Sequence, residues 1–79
     1  MNENLVSVLT EVFNLEPEQV VPELSKDDVG NWDSLKQMDL VVSIERKFGI
    51  TLEITDIIKM TSVANILEVL QDKRVELGP

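Results

Sequence analysis

Apolar residues recur with helical spacing in several stretches of this chain. In residues 3–15 one arc of a helical wheel, drawn at about 100° per residue, is apolar. It contains Leu5, Val8, Leu9, Val12 and Phe13. Polar residues occupy the opposite arc. The pattern predicts an amphipathic helix of about three turns. We expect it to end before Glu16, because Pro17 disfavours helical geometry at the residue that precedes it.

Residues 16–32 show no sustained period. Four residues in this stretch break any long helix: Pro17, Pro22, Gly30 and Asn31. A connection of this length is uncommon in a small domain unless it is functional or packed onto the core. The apolar residues available for such packing are Val20, Val21, Leu24 and Val29. We therefore predict a long ordered loop with one short turn.

A second helix is predicted from Ser34 to Lys47 or Phe48, with Asp33 as its N-cap and Gly49 as the residue that ends it. Its apolar residues spread over about 220° of the wheel, more than one core-facing side requires. They are Leu35, Met38, Leu40, Val41, Val42, Ile44 and Phe48. This helix is therefore central in a bundle, presents apolar surface to a partner, or does both.

Two shorter helical segments follow. Thr55 and Asp56 offer a cap for one or two turns that end at Met60, although the β-branched residues nearby favour a strand. Thr61 or Ser62 can cap a last helix from Val63 to about residue 73, and the tail at residues 75–79 is expected to fray. The prediction is a single all-α domain over residues 1–79. We expect a small bundle of three main helices plus one short helix, with a long ordered loop between the first two.

The charge of the chain is strongly acidic, with a net charge of −8. Residues 1–30 contain seven acids and one base, Lys26, so most of the negative charge lies in the first part of the chain. This balance argues against nucleic acid and anionic membranes as partners, since both attract basic patches. The first residues lack a signal peptide or a membrane span. We expect a soluble, cytoplasmic, monomeric protein.

Cysteine and histidine are both absent. The chain therefore has no disulfide, no thiolate nucleophile, no histidine base and no zinc site of the usual ligand types. A Ser-His-Asp triad is impossible, and 79 residues leave little room for a cleft with paired carboxylates. We predict that the chain is not an enzyme and holds no metal.

Ser34 is the most informative single residue. As the first residue of a helix it lies beside backbone N–H groups and the positive end of the helix dipole, a natural place for a phosphate. The chain offers no base that would make Ser34 a nucleophile, but another enzyme could modify it. The simpler alternative is a serine that only helps to start the helix.

The residues around Ser34 resemble the acyl carrier protein family. The resemblance rests on Gly30-Asn31-Trp32-Asp33-Ser34-Leu35, Leu40, Glu45-Arg46-Lys47-Phe48-Gly49-Ile50, Asp56 and Thr61-Ser62-Val63. The Asp-Ser-Leu triplet alone is weak, but the combination is strong and spans nearly the whole chain. We expect a stand-alone member of this family.

The resemblance implies that a phosphopantetheinyl transferase attaches 4′-phosphopantetheine from coenzyme A to Ser34. Asp33 would help to present Ser34, and Leu35 is either partly buried or a contact for modifying enzymes. The arm would carry an acyl or aminoacyl group as a thioester between loading ligases or synthases. We expect these enzymes to contact Lys36, Met38, Asp39, Val41, Val42 and Ile57. Trp32 packs on the bundle or shields the arm.

Two features depart from the family pattern. Carriers of general fatty-acid synthesis have an acidic second helix, whereas residues 33–48 have no net charge and Lys36 directly follows the triplet. This difference favours a specialised pathway, such as polyketide, nonribosomal-peptide or cell-envelope synthesis. The third helix is unusually apolar, so its residues either belong to the core or line a sleeve for an acyl chain. The sleeve residues would be Met38, Val42, Leu52, Ile54, Ile57, Ile58 and Met60. The rival interpretation is a helical protein-interaction domain with Ser34 unmodified.

Overall fold

The computed structural model describes residues 1–73, and the predicted tail at 75–79 lies outside them. The helices are α1 (Glu3–Phe13), α2 (Ser34–Phe48), α3 (Ile54–Lys59) and α4 (Val63–Asp72). A 3₁₀ turn at Pro17–Gln19 interrupts the long connection between α1 and α2. The described chain contains no strand, so the prediction of an all-α fold with three main helices and a short one is confirmed.

The ends of α1 have local causes. At its start the Asn2 side chain accepts a hydrogen bond from the Leu5 N–H at 3.1 Å. At its end Asn14 has a left-handed backbone (φ 55°), and its N–H donates to the Thr10 carbonyl. A short polar residue tolerates this conformation better than most. The helix ends before Glu16 as predicted, but Asn14 ends it and Pro17 does not.

The third helix begins earlier than predicted. Glu53 is the N-cap of α3, and Asp56, at the third helical position, accepts a hydrogen bond from the Glu53 N–H at 2.9 Å. This reciprocal pairing is a capping box. The prediction that Thr55 and Asp56 cap the helix was therefore wrong, because Asp56 satisfies a backbone group upstream of the helix from within its first turn.

One apolar core joins all four helices. Its side chains with less than 2% exposure come from α1, α2, α4 and the residue after α3. They are Leu5, Leu9, Leu40, Ile44, Met60, Val63, Ile66, Val69 and Leu70. Burial of these side chains is the main favourable contribution to folding. No helix among residues 1–73 is long and apolar enough to cross a membrane.

The long loop is fixed to the start of α4, which explains why it is ordered. Three backbone hydrogen bonds connect the two segments. The Lys26 N–H donates to the Thr61 carbonyl, and the N–H groups of the first two residues of α4 donate to the carbonyls of Leu24 and Pro22. Val20 and Val29 are buried in the core, as predicted. Val21 is 43% exposed, so its predicted packing role was wrong. The loop therefore reaches Ser34 on a rigid path.

An ion pair connects α3 to the end of α4. The Lys73 Nζ lies 2.9 Å from the Asp56 Oδ2. The pKa of Asp56 is lowered, first by the Glu53 backbone N–H and then by Lys73, and hydrogen bonding to Asp56 raises the pKa of Lys73. Both groups are accessible to solvent, so the stabilising effect of the pair is small.

We expect Asp56→Asn to lower the melting temperature by a few degrees at most at neutral pH. Asparagine keeps an oxygen for the Glu53 N–H, so the variant removes mainly the pairing with Lys73. A lowered carboxyl pKa stabilises the fold above its ordinary value of 3.8 and ceases to do so as the pH falls through the folded value. A raised lysine pKa contributes below 10.5 and is lost as the pH rises through the folded value.

Thermal unfolding of both proteins across pH checks this prediction. The difference should be present between these two limits and vanish in strong acid. A difference that persists undiminished well below pH 3.8 would show that the carboxylate charge is not its cause.

Candidate functional site

Ser34 is exposed at the first position of α2. Asp33 is the N-cap, and its Oδ1 accepts a hydrogen bond from the Lys36 N–H at 2.9 Å. The Gln37 N–H donates to the Asp33 carbonyl at 2.8 Å, which starts the helical ladder. The N–H groups of Ser34 and Leu35 have no acceptor among the described residues. The predicted N-cap and helix start are confirmed.

A surface groove of about 300 Å³ opens beside Ser34. It runs between the start of α2, the preceding loop and the end of α3. Its lining residues are Lys26, Trp32, Asp33, Ser34, Gln37, Met38, Ile58 and Thr61. Its apolar members are Trp32, Met38 and Ile58, and Lys26 adds a positive charge to the same lining. We refer to this feature as the Ser34 groove.

Trp32 is buried (5% exposed) and also lines the Ser34 groove. Its ring lies against Phe13 of α1, with centroids 4.6 Å apart and planes tilted by 35°. Its indole N–H donates to the Gln37 Oε1 at 2.6 Å. The predicted packing of Trp32 on the bundle is therefore confirmed. The alternative role, shielding of an attached group, stays a prediction, because Trp32 also lines the groove.

Gln37 is a site residue that the sequence did not reveal. Its Nε2 donates to the carbonyls of Ile57 and Met60, both at 3.1 Å. A glutamine on the wheel of α2 looks like any polar surface residue, and its partners lie 20 and 23 residues away in the chain. No local pattern could have identified this contact.

The wide apolar arc of α2 has a buried part, which packs in the core of the bundle, and an exposed part on the surface. Leu40, Val41 and Ile44 are buried, and Leu35, Met38 and Val42 are exposed. Leu35 is 80% exposed, so of its two alternatives partial burial was wrong. Val41 was predicted to contact partner enzymes, but its side chain is 4% exposed. That prediction is corrected, because Val41 belongs to the core.

The remaining predicted partner contacts fall on two sides of α2. Met38 lines the Ser34 groove. Ile57 is half-buried, and its carbonyl accepts a hydrogen bond from the Gln37 side chain. Lys36, Asp39 and Val42 instead line a separate groove between α1 and α2. An enzyme that covers Ser34 from the α3 side would therefore meet Met38 before Lys36 and Asp39.

The residues proposed to line an acyl sleeve fall into a buried group and an exposed group. Leu52 and Met60 are in the core, so for them the simpler alternative is right. Ile54 and Ile58 of α3 are 75% and 70% exposed, so neither is core. Ile58 shares the Ser34 groove with Met38. The unusual apolar character of the third helix therefore lies at the surface.

The Ser34 segment is suited to a phosphate ester. Two unpaired N–H groups at the N-terminal end of a 15-residue helix favour an anion, and the exposed hydroxyl is at the same end. Lys26, which also lines the groove, supplies a cation. Trp32, Met38 and Ile58 offer apolar surface for the chain that such an ester would attach.

Comparisons with known proteins agree with this geometry. A family model described as a phosphopantetheine attachment site matches residues 3–70. An acyl carrier protein of Thermosynechococcus vestitus is 28% identical over 71 residues, which are 90% of this chain and 88% of the relative. A meromycolate extension acyl carrier protein of Mycolicibacterium aurum is 30% identical over 67 residues, 85% of this chain and 69% of the relative.

A similar segment also occurs in a much larger protein. The non-reducing polyketide synthase sor2 of Hypocrea jecorina is 34% identical over 64 residues, which are 81% of this chain but 2% of the synthase. The family match covers α1, α2, α3, most of α4 and the loop that leads to Ser34. The chain belongs to the acyl carrier protein family, whose members are not enzymes and bear a covalently attached 4′-phosphopantetheine.

Proposed function

We propose that this chain carries an acyl or aminoacyl group on 4′-phosphopantetheine attached to the Ser34 hydroxyl. The observation that carries the proposal is the position of Ser34, exposed at the first turn of α2 and in the lining of the Ser34 groove, within the family match. When bound, the arm supplies the thiol that this chain lacks and holds the cargo as a thioester.

The neighbouring residues have distinct roles in this proposal. Asp33 fixes the first turn of α2 through the Lys36 N–H, and so fixes the backbone position from which the Ser34 side chain projects. The N–H groups of Ser34 and Leu35, with the Lys26 ammonium, stabilise the negative charge of a phosphodiester. Leu35 offers an exposed apolar contact to a phosphopantetheinyl transferase, and Met38 extends that surface.

The proposed partners are a phosphopantetheinyl transferase and the ligases or synthases that load and use the cargo. We propose that the chain acts as a monomer in the cytoplasm. Helix α2 with its cap has no net charge, since Asp33, Asp39 and Glu45 are matched by three bases. Summed surface fields steer association and suppress wrong partners, so we propose a specialised pathway.

This pathway proposal predicts that the chain is a poor substrate for the enzymes of general fatty-acid synthesis. Some fatty-acid synthesis enzymes recognise carriers with an acidic second helix. With such an enzyme we expect kcat/KM for this chain to be at least about tenfold lower than for a carrier of that kind. Lys36→Glu, which makes α2 acidic, should recover part of that loss at low salt and less at high salt. Steady-state transfer kinetics measure both effects. Full activity of the unmodified sequence would overturn the specialised assignment.

The intact mass of the purified protein tests the proposal itself. After incubation with coenzyme A and a broad-specificity phosphopantetheinyl transferase, we expect a gain of one phosphopantetheine group. Peptide mapping should place it on the peptide that contains Ser34. A folded protein that lacks the arm and gains no mass would contradict the proposal and favour the interaction domain.

A further inference from the structure

The Gln37 side chain connects three segments of the chain. It accepts the Trp32 indole N–H from the loop at 2.6 Å and donates to the Ile57 and Met60 carbonyls at the end of α3. Its orientation is unambiguous, because an indole N–H only donates and a backbone carbonyl only accepts. Both amide protons and the amide oxygen are therefore used. We refer to these three hydrogen bonds as the Gln37 clasp.

Helix α3 depends on such contacts for its position. It has six residues, and an isolated helix of this length is not stable in water. At the C-terminal end of α3 Gln37 donates to the Met60 carbonyl, which has no other donor among residues 1–73, and to the Ile57 carbonyl, which also accepts the Met60 N–H. Ile54 and Ile58 point away from the core and contribute little to holding the helix in place.

The clasp lies within the Ser34 groove. Gln37 and Trp32 line the groove together with Ser34, and Ile58 of α3 forms part of the facing wall. The two bonds from Gln37 to the end of α3 act together with the buried Met60 and the half-buried Ile57 to set the distance between Ile58 and the start of α2. Any enzyme that delivers a group to Ser34 must cover this groove and meet both walls.

We propose that Gln37 is a positioning residue for the modification of Ser34, because its clasp holds α3 at the distance from α2 that the modifying enzyme recognises. This inference rests on the proposed carrier function. Without the clasp α3 samples other positions, and only a fraction of the molecules presents the competent groove. The apparent affinity for the enzyme then falls by that fraction, while the reaction at Ser34 is unchanged.

Gln37→Glu is the sharpest test. The variant keeps an acceptor for Trp32 but removes both donors and places a carboxylate against two carbonyl oxygens. We expect the KM of the transferase for the unmodified carrier to rise about tenfold, with kcat within about twofold. Backbone amide exchange at Ile57 and Met60 should accelerate at least about tenfold, with the other helices unchanged.

Two further variants separate the contacts. Gln37→Met has a similar length and no charge, so it tests the same loss if the glutamate variant fails to fold. Trp32→Phe keeps a six-membered ring against Phe13 and removes the indole N–H together with the volume of the five-membered ring. Because it retains both bonds to α3, we expect amide exchange at Ile57 and Met60 to accelerate much less in this variant than in Gln37→Glu. Gln71→Glu, exposed on α4 and outside the groove, controls for the added charge.

The outcomes are distinguishable. A raised KM with faster exchange in α3 for both Gln37 variants, and neither for Gln71→Glu, supports the inference. Faster exchange with an unchanged KM makes the clasp purely structural and overturns it, as does unchanged exchange. A wild-type protein that gains no arm overturns the proposed function and this role with it, whereas a modified wild type with unaffected Gln37 variants overturns only this inference.

Discussion

Ser34→Ala is expected to leave a folded protein that gains no phosphopantetheine arm. The loss should be complete, because alanine has no oxygen on which a phosphodiester can form. The fold should persist, since the Ser34 side chain is exposed and makes no hydrogen bond within residues 1–73. Asp33 continues to cap α2 through the Lys36 N–H. Intact mass after transferase treatment and circular dichroism measure the two halves of this prediction.

A matched serine variant controls for unrelated effects. Ser7→Ala changes a half-buried serine on α1, far along the chain from the Ser34 groove, and should gain the arm like the wild type. An arm on Ser34→Ala would mean that another hydroxyl is the attachment site, and peptide mapping would identify it.

Ile44→Ala is expected to destabilise the protein by about 2 to 5 kcal/mol. Ile44 is fully buried at the centre of α2, and its loss removes apolar contacts and leaves a cavity. At the usual 0.05–0.15 kcal/mol per residue, a domain of this size has about 4 to 12 kcal/mol in total. The melting temperature should therefore fall by roughly 10 to 30 °C. Thermal and urea unfolding give the two values independently.

Val42→Ala separates burial from helix content at nearly the same place. Val42 lies two residues away on the same helix and is 41% exposed. Its replacement should change the free energy of unfolding by about 0.5 kcal/mol or less, since exposed sites rarely exceed that value. Equal losses for both variants would show that Ile44 does not occupy the core position described above.

The helices themselves were largely predictable from local sequence. The periodicity of α1 places one apolar arc on that helix, and the five residues of the arc are buried in the structure. Asp33, Ser62 and Gly49 mark helix ends through local side-chain or backbone geometry, and each is found at such an end. Local signals of this kind need only a few neighbouring residues to act, so no tertiary information was required.

The errors occurred where two local signals competed or where burial decided. The start of α3 was misplaced because Asp56 pairs with the Glu53 N–H from inside the helix. Val21 and Val41 were misassigned because a wheel or a spacing shows which residues are apolar but not which of them meet the core. A chain with more apolar residues than its core can cover leaves that choice to the packing.

The sequence by itself determined the all-α class and the serine at the start of α2. Only the tertiary structure decided that Lys26, Trp32 and Ile58 meet around Ser34 and that Gln37 joins the loop to α3. The physical reason is range. Caps and periodicity act between residues three or four apart, whereas the groove depends on how helices distant in the chain pack against one core.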